Sequence, residues 1–224
     1  MQKYKDWVRL SHVLSESTPA YGGGEGLCVE HVKNMRCGDS CNTVSLNISN
    51  HLGSHVDAPR HFFSDGMTVD DYGINEWVFH NVLCVRVVVE QKEIITIEKI
   101  DTALEGYDDA ELLLICTGFE SHRTEALYWN ASPAFSPDLA GYLKKRFPSL
   151  KAIGLDTISI SSVCHRDVGR EAHKEFLGRN IRIFEDLSLN IIPCGINVSQ
   201  VIALPLFFEQ ADGAPCTVIA RLGD

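Results

Sequence analysis

A chain of 224 residues, 45% of them hydrophobic, has enough apolar side chains for one core, so we predict a single domain over residues 1–224. A formal net charge of -10, with no basic run longer than residues 144–146, argues against nucleic acid as a partner, because phosphate binding needs a positive patch. Neither a membrane span of roughly 18 apolar residues nor a secretory signal is present, so we expect no membrane partner and a cytoplasmic protein whose eight cysteines are free thiols.

Short β-branched runs and period-two alternation predict strands, in chain order, at residues 43–49, 82–89, 112–116, 152–155, 181–184, 201–206 and 217–220. Helices are predicted at 97–104, from Ser136 and Pro137 to about Arg146, and at 168–177, where Gly178 ends the last one. Consecutive strands come first, and strands then alternate with helices. This order predicts an α/β fold with a mixed β-sheet.

Residues 51–61, HLGSHVDAPRH, contain three of the nine histidines and one aspartate. A helix is disfavoured there, because glycine and proline both interrupt helices. In a strand over 43–58, apolar residues take most even positions, and period two places His51, His55 and Asp57 on the opposite, polar face. Two imidazoles and a carboxylate suit Zn²⁺ or Mn²⁺, so the pattern favours a metal site.

Gly53 and His61 extend this interpretation. Gly53 would leave space between the two imidazoles, and His61 follows a turn at Pro59 from which it could reach the same pocket. The alternative is a polar strand face whose histidines form hydrogen bonds and have no function.

A second group of possible ligands lies in the segment AHKEFLGRNIRIFEDL. His173 falls on the last predicted helix, and Glu185 lies at the C-terminal end of the next strand, a position that often borders active sites in α/β folds. Taken alone, this pattern favours an exposed histidine and a solvated glutamate over a pair of ligands.

The segment HLGSHVDAPRHF resembles the HxGTHxDxPxHF signature of the cyclase family of metal-dependent hydrolases, the kynurenine formamidase and isatin hydrolase type, with Ser54 in place of threonine. LSHVLSESTPAY, LLLICTGF, GLDTISI and ADGAPCTVIA resemble further segments of the family in the same order. The chain departs from the pattern at Asp186, where asparagine is usual, and at Gly22-Gly23-Gly24, where a turn containing proline is usual. The second departure affects the expected substrate more than metal binding.

The resemblance implies a role for each candidate residue. His51, His55 and Asp57 would bind one metal ion, Asp57 would bridge to a second ion held by His173 and Glu185, and His61 would be the catalytic acid and base. It also implies a compact α/β domain of the swivelling β/β/α type that assembles as a homodimer or a higher homo-oligomer. The cofactor expected is Zn²⁺, as one or two ions, with Mn²⁺ as the alternative.

Such a site could hydrolyse a small-molecule substrate. Two divalent ions can share a water molecule, lower its pKa and polarise the carbonyl that the resulting hydroxide attacks, while His61 protonates the departing nitrogen. We therefore predict an amidohydrolase that acts on an N-formyl arylamide such as N-formylkynurenine, or on a cyclic amide. An isatin-like lactam, an imide or a lactone is the alternative substrate, and a non-catalytic metal-binding protein is the alternative function. Candidates for an apolar pocket are Tyr21, Phe62, Phe63 and Trp77.

Overall fold

The structure, a computed structural model, describes residues 7–223. Its strands are β1 (Trp7–Arg9), β2 (Cys28–Lys33), β3 (Thr43–Asn47), β4 (His55–Asp57), β5 (Val78–Phe79), β6 (Val82–Arg86), β7 (Ile94–Ile95), β8 (Leu112–Cys116), β9 (Ala134–Phe135), β10 (Ala152–Leu155), β11 (Arg182–Glu185), β12 (Val198–Pro205) and β13 (Gly213–Leu222). Its α-helices are α1 (Ile97–Asp101), α2 (Ala126–Asn130), α3 (Asp138–Arg146) and α4 (Arg166–Leu177). Within the described part of the chain, no helix combines the length and apolar character that crossing a bilayer requires.

One mixed sheet organises the molecule. Its strand order is β5-β12-β13-β4-β11-β10-β8-β6, and β1 pairs with β13. The strands β6, β8, β10 and β11 run parallel, whereas β4 lies antiparallel between β11 and β13. This sheet confirms the predicted α/β fold with a mixed sheet, and it places the short strand β4 at the junction of the parallel and antiparallel halves.

The parallel strands are buried on both faces, as their nearly continuous apolar sequences require. On β8, Leu113 and Ile115 pack in one core region with Leu143 of α3 and Phe176 of α4. The alternate residues of β8 pack in a second core region with side chains of β12 and β13. The period of two thus supplies both sides of the sheet with core residues.

The seven predicted strands all occur, β8 and β10 at their predicted bounds and the other five with shifted ends. The predicted helix at 97–104 is α1 followed by a 3₁₀ turn at Thr102–Leu104. The continuous strand predicted over 43–58 is wrong. β3 ends at Asn47, and β4 begins only at His55 after a turn. Val44 and Leu46 are exposed and not part of the core, because β3 pairs only with β2 in a separate hairpin.

Gly53 explains why the chain turns between β3 and β4. Its φ is +68°, in the left-handed region that favours glycine, and an added Cβ would lie 2.5 Å from Cδ2 of Leu14. The glycine therefore permits the turn and close packing against Leu14, and does not serve as a spacer between two imidazoles as the sequence predicts.

Candidate metal centre

Strand β4 carries two of the predicted ligands into the centre of the sheet. His55 and Asp57 both point to the same side of β4, since they lie two residues apart. On β11, Glu185 is the register partner of His55, so the two side chains meet across neighbouring strands. His173 approaches from α4, and all four side chains are buried.

The two imidazoles and the two carboxylates alternate around one point. The Nε2 atom of His55 lies 3.4 Å from Oδ1 of Asp57 and 3.4 Å from Oε2 of Glu185. The Nε2 atom of His173 lies 3.5 Å from Oδ2 of Asp57 and 3.5 Å from Oε1 of Glu185. Two imidazole nitrogens and two carboxylates therefore face one another at distances longer than direct hydrogen bonds.

Backbone carbonyl groups orient both imidazoles. Nδ1 of His55 donates to the carbonyl of Gly53 at 2.8 Å, and Nδ1 of His173 donates to the carbonyl of Gly169 at 2.8 Å. Because each Nδ1 is fixed by this hydrogen bond, each Nε2 is directed at the carboxylates. Metal-binding histidines commonly have this arrangement, in which the second ring nitrogen is fixed by a hydrogen bond.

Glu185 is held by the loop that precedes α4. Its Oε1 accepts hydrogen bonds from the backbone nitrogen of Ile160 at 2.6 Å and from Oγ of Ser159 at 3.0 Å. Gly169 allows this loop to lie against α4, since an added Cβ would lie 1.9 Å from Oγ of Ser161. The helix carrying His173 and the loop holding Glu185 are therefore in direct contact.

His51 and His61 extend the cluster towards the surface. His51 lies in the turn before β4, where Nδ1 is 2.8 Å from Oδ1 of Asp57 and Nε2 is 2.9 Å from Oδ2 of Asp212. His61 ends the 3₁₀ turn Pro59–His61, and its Nδ1 lies 2.9 Å from the same oxygen of Asp212. The two imidazole centroids are 4.0 Å apart.

Sequence reasoning missed Asp212. It comes immediately before β13, and its backbone carbonyl accepts a hydrogen bond from the nitrogen of Ala58, which fixes it beside the end of β4. The one signal in the sequence is its position in the segment ADGAPCTVIA, but a single aspartate before a strand has no partner pattern that would identify it.

Mutual contacts perturb the pKa values of His51, His173 and Asp57. Burial lowers the pKa of His51, but hydrogen bonds to Asp212 and Asp57 outweigh it and raise this pKa to about 9. Burial acts in the same direction on His173, where Asp57 and Glu185 raise the pKa to about 10. Burial raises the pKa of Asp57, but the neighbouring imidazoles of His173, His51 and His55 hold it well below its usual range. The carboxylates are thus ionised at neutral pH.

This arrangement fits a divalent cation. Oδ2 of Asp57 is buried and has no hydrogen-bond partner among the described residues, an arrangement that is costly unless something pairs with it. Ligand atoms of His55, Asp57 and Glu185 lie within 4.8 Å of one another, as do those of His51, Asp57 and His61. Asp57 belongs to both groups. The sequence predicts that His55 shares an ion with His51, whereas the structure groups His55 with Glu185.

The cluster opens into a cavity of about 500 Å³. Tyr21, Phe62 and Ile158 form part of its apolar wall, and the ring of Phe62 stacks on His173 at 4.7 Å. Trp77 does not line this cavity, because it is fully buried in the core beside Arg182. Phe63 does not line it either. The predicted aromatic pocket is thus half right.

Comparison with known proteins finds a family and several relatives to which this chain is similar. Residues 8–162 match the Cyclase family, described as "Putative cyclase". A kynurenine formamidase of Geobacillus thermodenitrificans (strain NG80-2) is 30% identical over 217 residues, covering 96% of this chain and 97% of the relative. A kynurenine formamidase of Bacillus anthracis is 26% identical over 219 residues, covering 98% and 99%.

Among solved structures, isatin hydrolase A from Labrenzia aggregata bound to benzyl benzoate has a TM-score of 0.82 and 23% identity, covering 98% of this chain and 94% of that one. This similarity extends over β11 and β13, which lie beyond the residues that match the family.

Proposed function

The chain belongs to the cyclase family, and from this premise we propose that it is a metal-dependent hydrolase that cleaves a small amide. The leading substrate is an N-formyl arylamide such as N-formylkynurenine. The observation that carries the proposal is a buried His/Asp/Glu cluster that opens into a cavity whose wall also contains His61. A purely structural metal site has no need of this additional imidazole.

His55, His173, Asp57 and Glu185 would hold the metal, with His51 as a further ligand on the outer side. Their nitrogen and oxygen atoms suit Zn²⁺ as one or two ions, with Mn²⁺ as the alternative. When bound, such an ion supplies Lewis acidity, which lowers the pKa of water and polarises a carbonyl group.

The residues of the chain perform the remaining tasks. The carboxylate of Asp212 accepts a hydrogen bond from Nδ1 of His61, which leaves Nε2 of His61 free to accept or donate a proton. In amide hydrolysis, His61 would accept a proton from the water that adds to the carbonyl carbon, and would transfer it to the departing nitrogen as the C–N bond breaks. Phe62 stacks on His173 and keeps that side of the cluster apolar, and Tyr21 and Ile158 offer a surface for an aryl ring.

Steady-state kinetics on the metal-loaded protein test the proposal. We expect N-formylkynurenine to be hydrolysed to the arylamine and formate by protein loaded with Zn²⁺ or Mn²⁺, and the Asp57→Asn variant to be inactive because it loses the carboxylate shared by both ligand groups. Isatin, a cyclic imide and a lactone complete the substrate set. If the loaded protein hydrolyses none of them, the enzymatic proposal is wrong and a non-catalytic metal-binding role takes its place.

A further inference from the structure

Two arginines line the cavity that contains the candidate metal centre. Arg166 and Arg170 lie on α4, four residues apart, so they occupy the same face of the helix. His173 lies three residues after Arg170 on this face. At the rise of an α-helix, the two arginines are about 4.5 and 10.5 Å along the axis from His173. The cavity therefore has an acidic, metal-binding end and a cationic end, one to two helical turns apart.

Contacts within the protein do not account for two positively charged side chains at this position. Both lie in the N-terminal half of α4, where the helix dipole disfavours positive charge. Arg170 donates to Asp167 at 3.0 Å, but both side chains are more than half exposed, so solvent weakens this ion pair. Within residues 7–223, Arg166 has no carboxylate partner within ion-pair distance. Most guanidinium N–H groups of the pair remain available to a ligand.

The glycine-rich turn faces the same end of the cavity. Gly22 lies beside Arg166, since an added Cβ would be 4.0 Å from Nη2 of Arg166. The hydroxyl of Tyr21 and Oγ of Ser161 form a hydrogen bond at 3.1 Å in the same wall. The turn that departs from the family sequence thus lies against the cationic end, where a difference in substrate recognition would be located.

We propose that Arg166 and Arg170 of this chain form the subsite that binds the carboxylate of the substrate. This inference rests on the proposed function for the position of the scissile amide. The planar guanidinium matches a carboxylate with two parallel hydrogen bonds. A ligand with its amide carbonyl at the acidic end and its carboxylate at the arginines spans the cavity, with its aryl ring against Phe62 and Ile158.

The test compares matched ligands in wild type and in the Arg166→Gln/Arg170→Gln double variant. The kinetic substrates are N-formylkynurenine and its methyl ester, which share the scissile formamide but differ in the carboxylate. We expect the double variant to raise KM for the acid about tenfold or more, the loss expected for charge-assisted hydrogen bonds, with kcat little changed. The methyl ester should be hydrolysed equally well by both proteins. Arg179→Gln, two residues beyond the end of α4 and paired with Glu175, is the control.

A binding measurement separates this proposal from the proposed function. Isothermal titration of the metal-loaded protein with 4-phenylbutanoate and with 4-phenylbutanamide requires no turnover. We expect wild type to prefer the carboxylate and the double variant to lose this preference. If the carboxylate binds equally well to both proteins, it binds at the metal and the arginine subsite is wrong. If the preference depends on the arginines but no amide is hydrolysed, the subsite stands and the proposed function fails.

Discussion

His61 is the residue whose role is easiest to separate from metal binding. Its nearest carboxylate is Asp212, whereas the buried ligand atoms are supplied by other side chains. We expect His61→Ala to keep its metal content and to lose about 10²- to 10⁴-fold in kcat, the usual contribution of a general acid or base. Elemental analysis and kinetics measure the two quantities on the same sample.

The control for this variant is His122→Ala, which removes a half-buried histidine paired with Glu125 outside the cluster. Its activity should equal that of wild type. Full activity in His61→Ala would remove His61 from the mechanism, and a loss of metal would make it a ligand.

The sequence groups residues that the fold does bring together, but the reason it gives for their grouping is partly incorrect. Period two correctly places His55 and Asp57 on one side of β4. His51 joins them from a turn, through a hydrogen bond to Asp57, and not from the same strand. Asp212 is close only because β13 pairs with β4, a contact between residues more than 150 positions apart that no local pattern specifies.

The contact of α4 with the preceding loop depends on one glycine. In Gly169→Ala the new methyl group would overlap Oγ of Ser161, so α4 must shift and carry His173 with it. We expect a loss of about 1 to 3 kcal/mol in the free energy of unfolding, typical of overpacking, together with weaker metal binding. Denaturant unfolding and metal titration measure both effects.

Gly141→Ala in α3 is the matched control, because its added Cβ would lie 3.6 Å from Nη2 of Arg179, an ordinary contact. Alanine in a helix should leave stability unchanged or increase it. Equal stability of the two variants would show that α4 does not depend on close approach at residue 169.

Sequence patterns are sufficient to predict some of the strands but not others. The buried parallel strands β8 and β10 are found at their predicted bounds, since continuous apolar runs identify them. The strand β3 is also predicted, but β2 is not, and the pattern does not show that β3 belongs to a separate hairpin. The apolar residues of β3 alternate as in a core strand, although the hairpin lies outside the main sheet, and this placement depends on tertiary contacts.

The hairpin of β2 and β3 exposes apolar side chains that could form an interface between copies of the chain. Val29 pairs with Leu46, and His31 pairs with Val44, on one face of a two-stranded sheet. Leu46 is 58% exposed and Val44 46% exposed, although isolated hairpins are marginally stable in water. We propose that a second copy of the chain covers this face in a homodimer.

Sedimentation of wild type should give the mass of a dimer, and Leu46→Lys should shift it towards monomer. Ser45→Lys, on the opposite face of the hairpin, is the control and should remain dimeric. A monomeric wild type, or a dimer that tolerates Leu46→Lys, would contradict this assembly.

The pKa values of the cluster predict how the metal-free molecule responds to pH. The pKa values of His51 and His173 are about 9 and about 10 in the folded state, above the ordinary value of 6.5. Their protonated rings therefore stabilise the metal-free fold fully below about pH 6.5, and this stabilisation is lost as the pH rises through 9 and 10. Metal ions must displace these protons, so metal affinity should increase with pH.

Thermal unfolding of metal-free and metal-loaded protein between pH 7 and pH 10 measures this effect. The difference in Tm between the two forms should widen as the pH rises. Metal binding at pH 7 should also release protons, seen as a binding heat that depends on the ionisation enthalpy of the buffer. A constant Tm difference and a heat independent of buffer would contradict the protonation states described.

The proposed metal site is tested most directly by anomalous scattering from a crystal of the catalytically active protein, collected at the absorption edges of zinc and manganese. We predict a peak bounded by Nε2 of His55, Nε2 of His173 and the carboxylates of Asp57 and Glu185. An active crystal with no peak among these four side chains, or with its metal bound elsewhere, would show that a different site performs the hydrolysis.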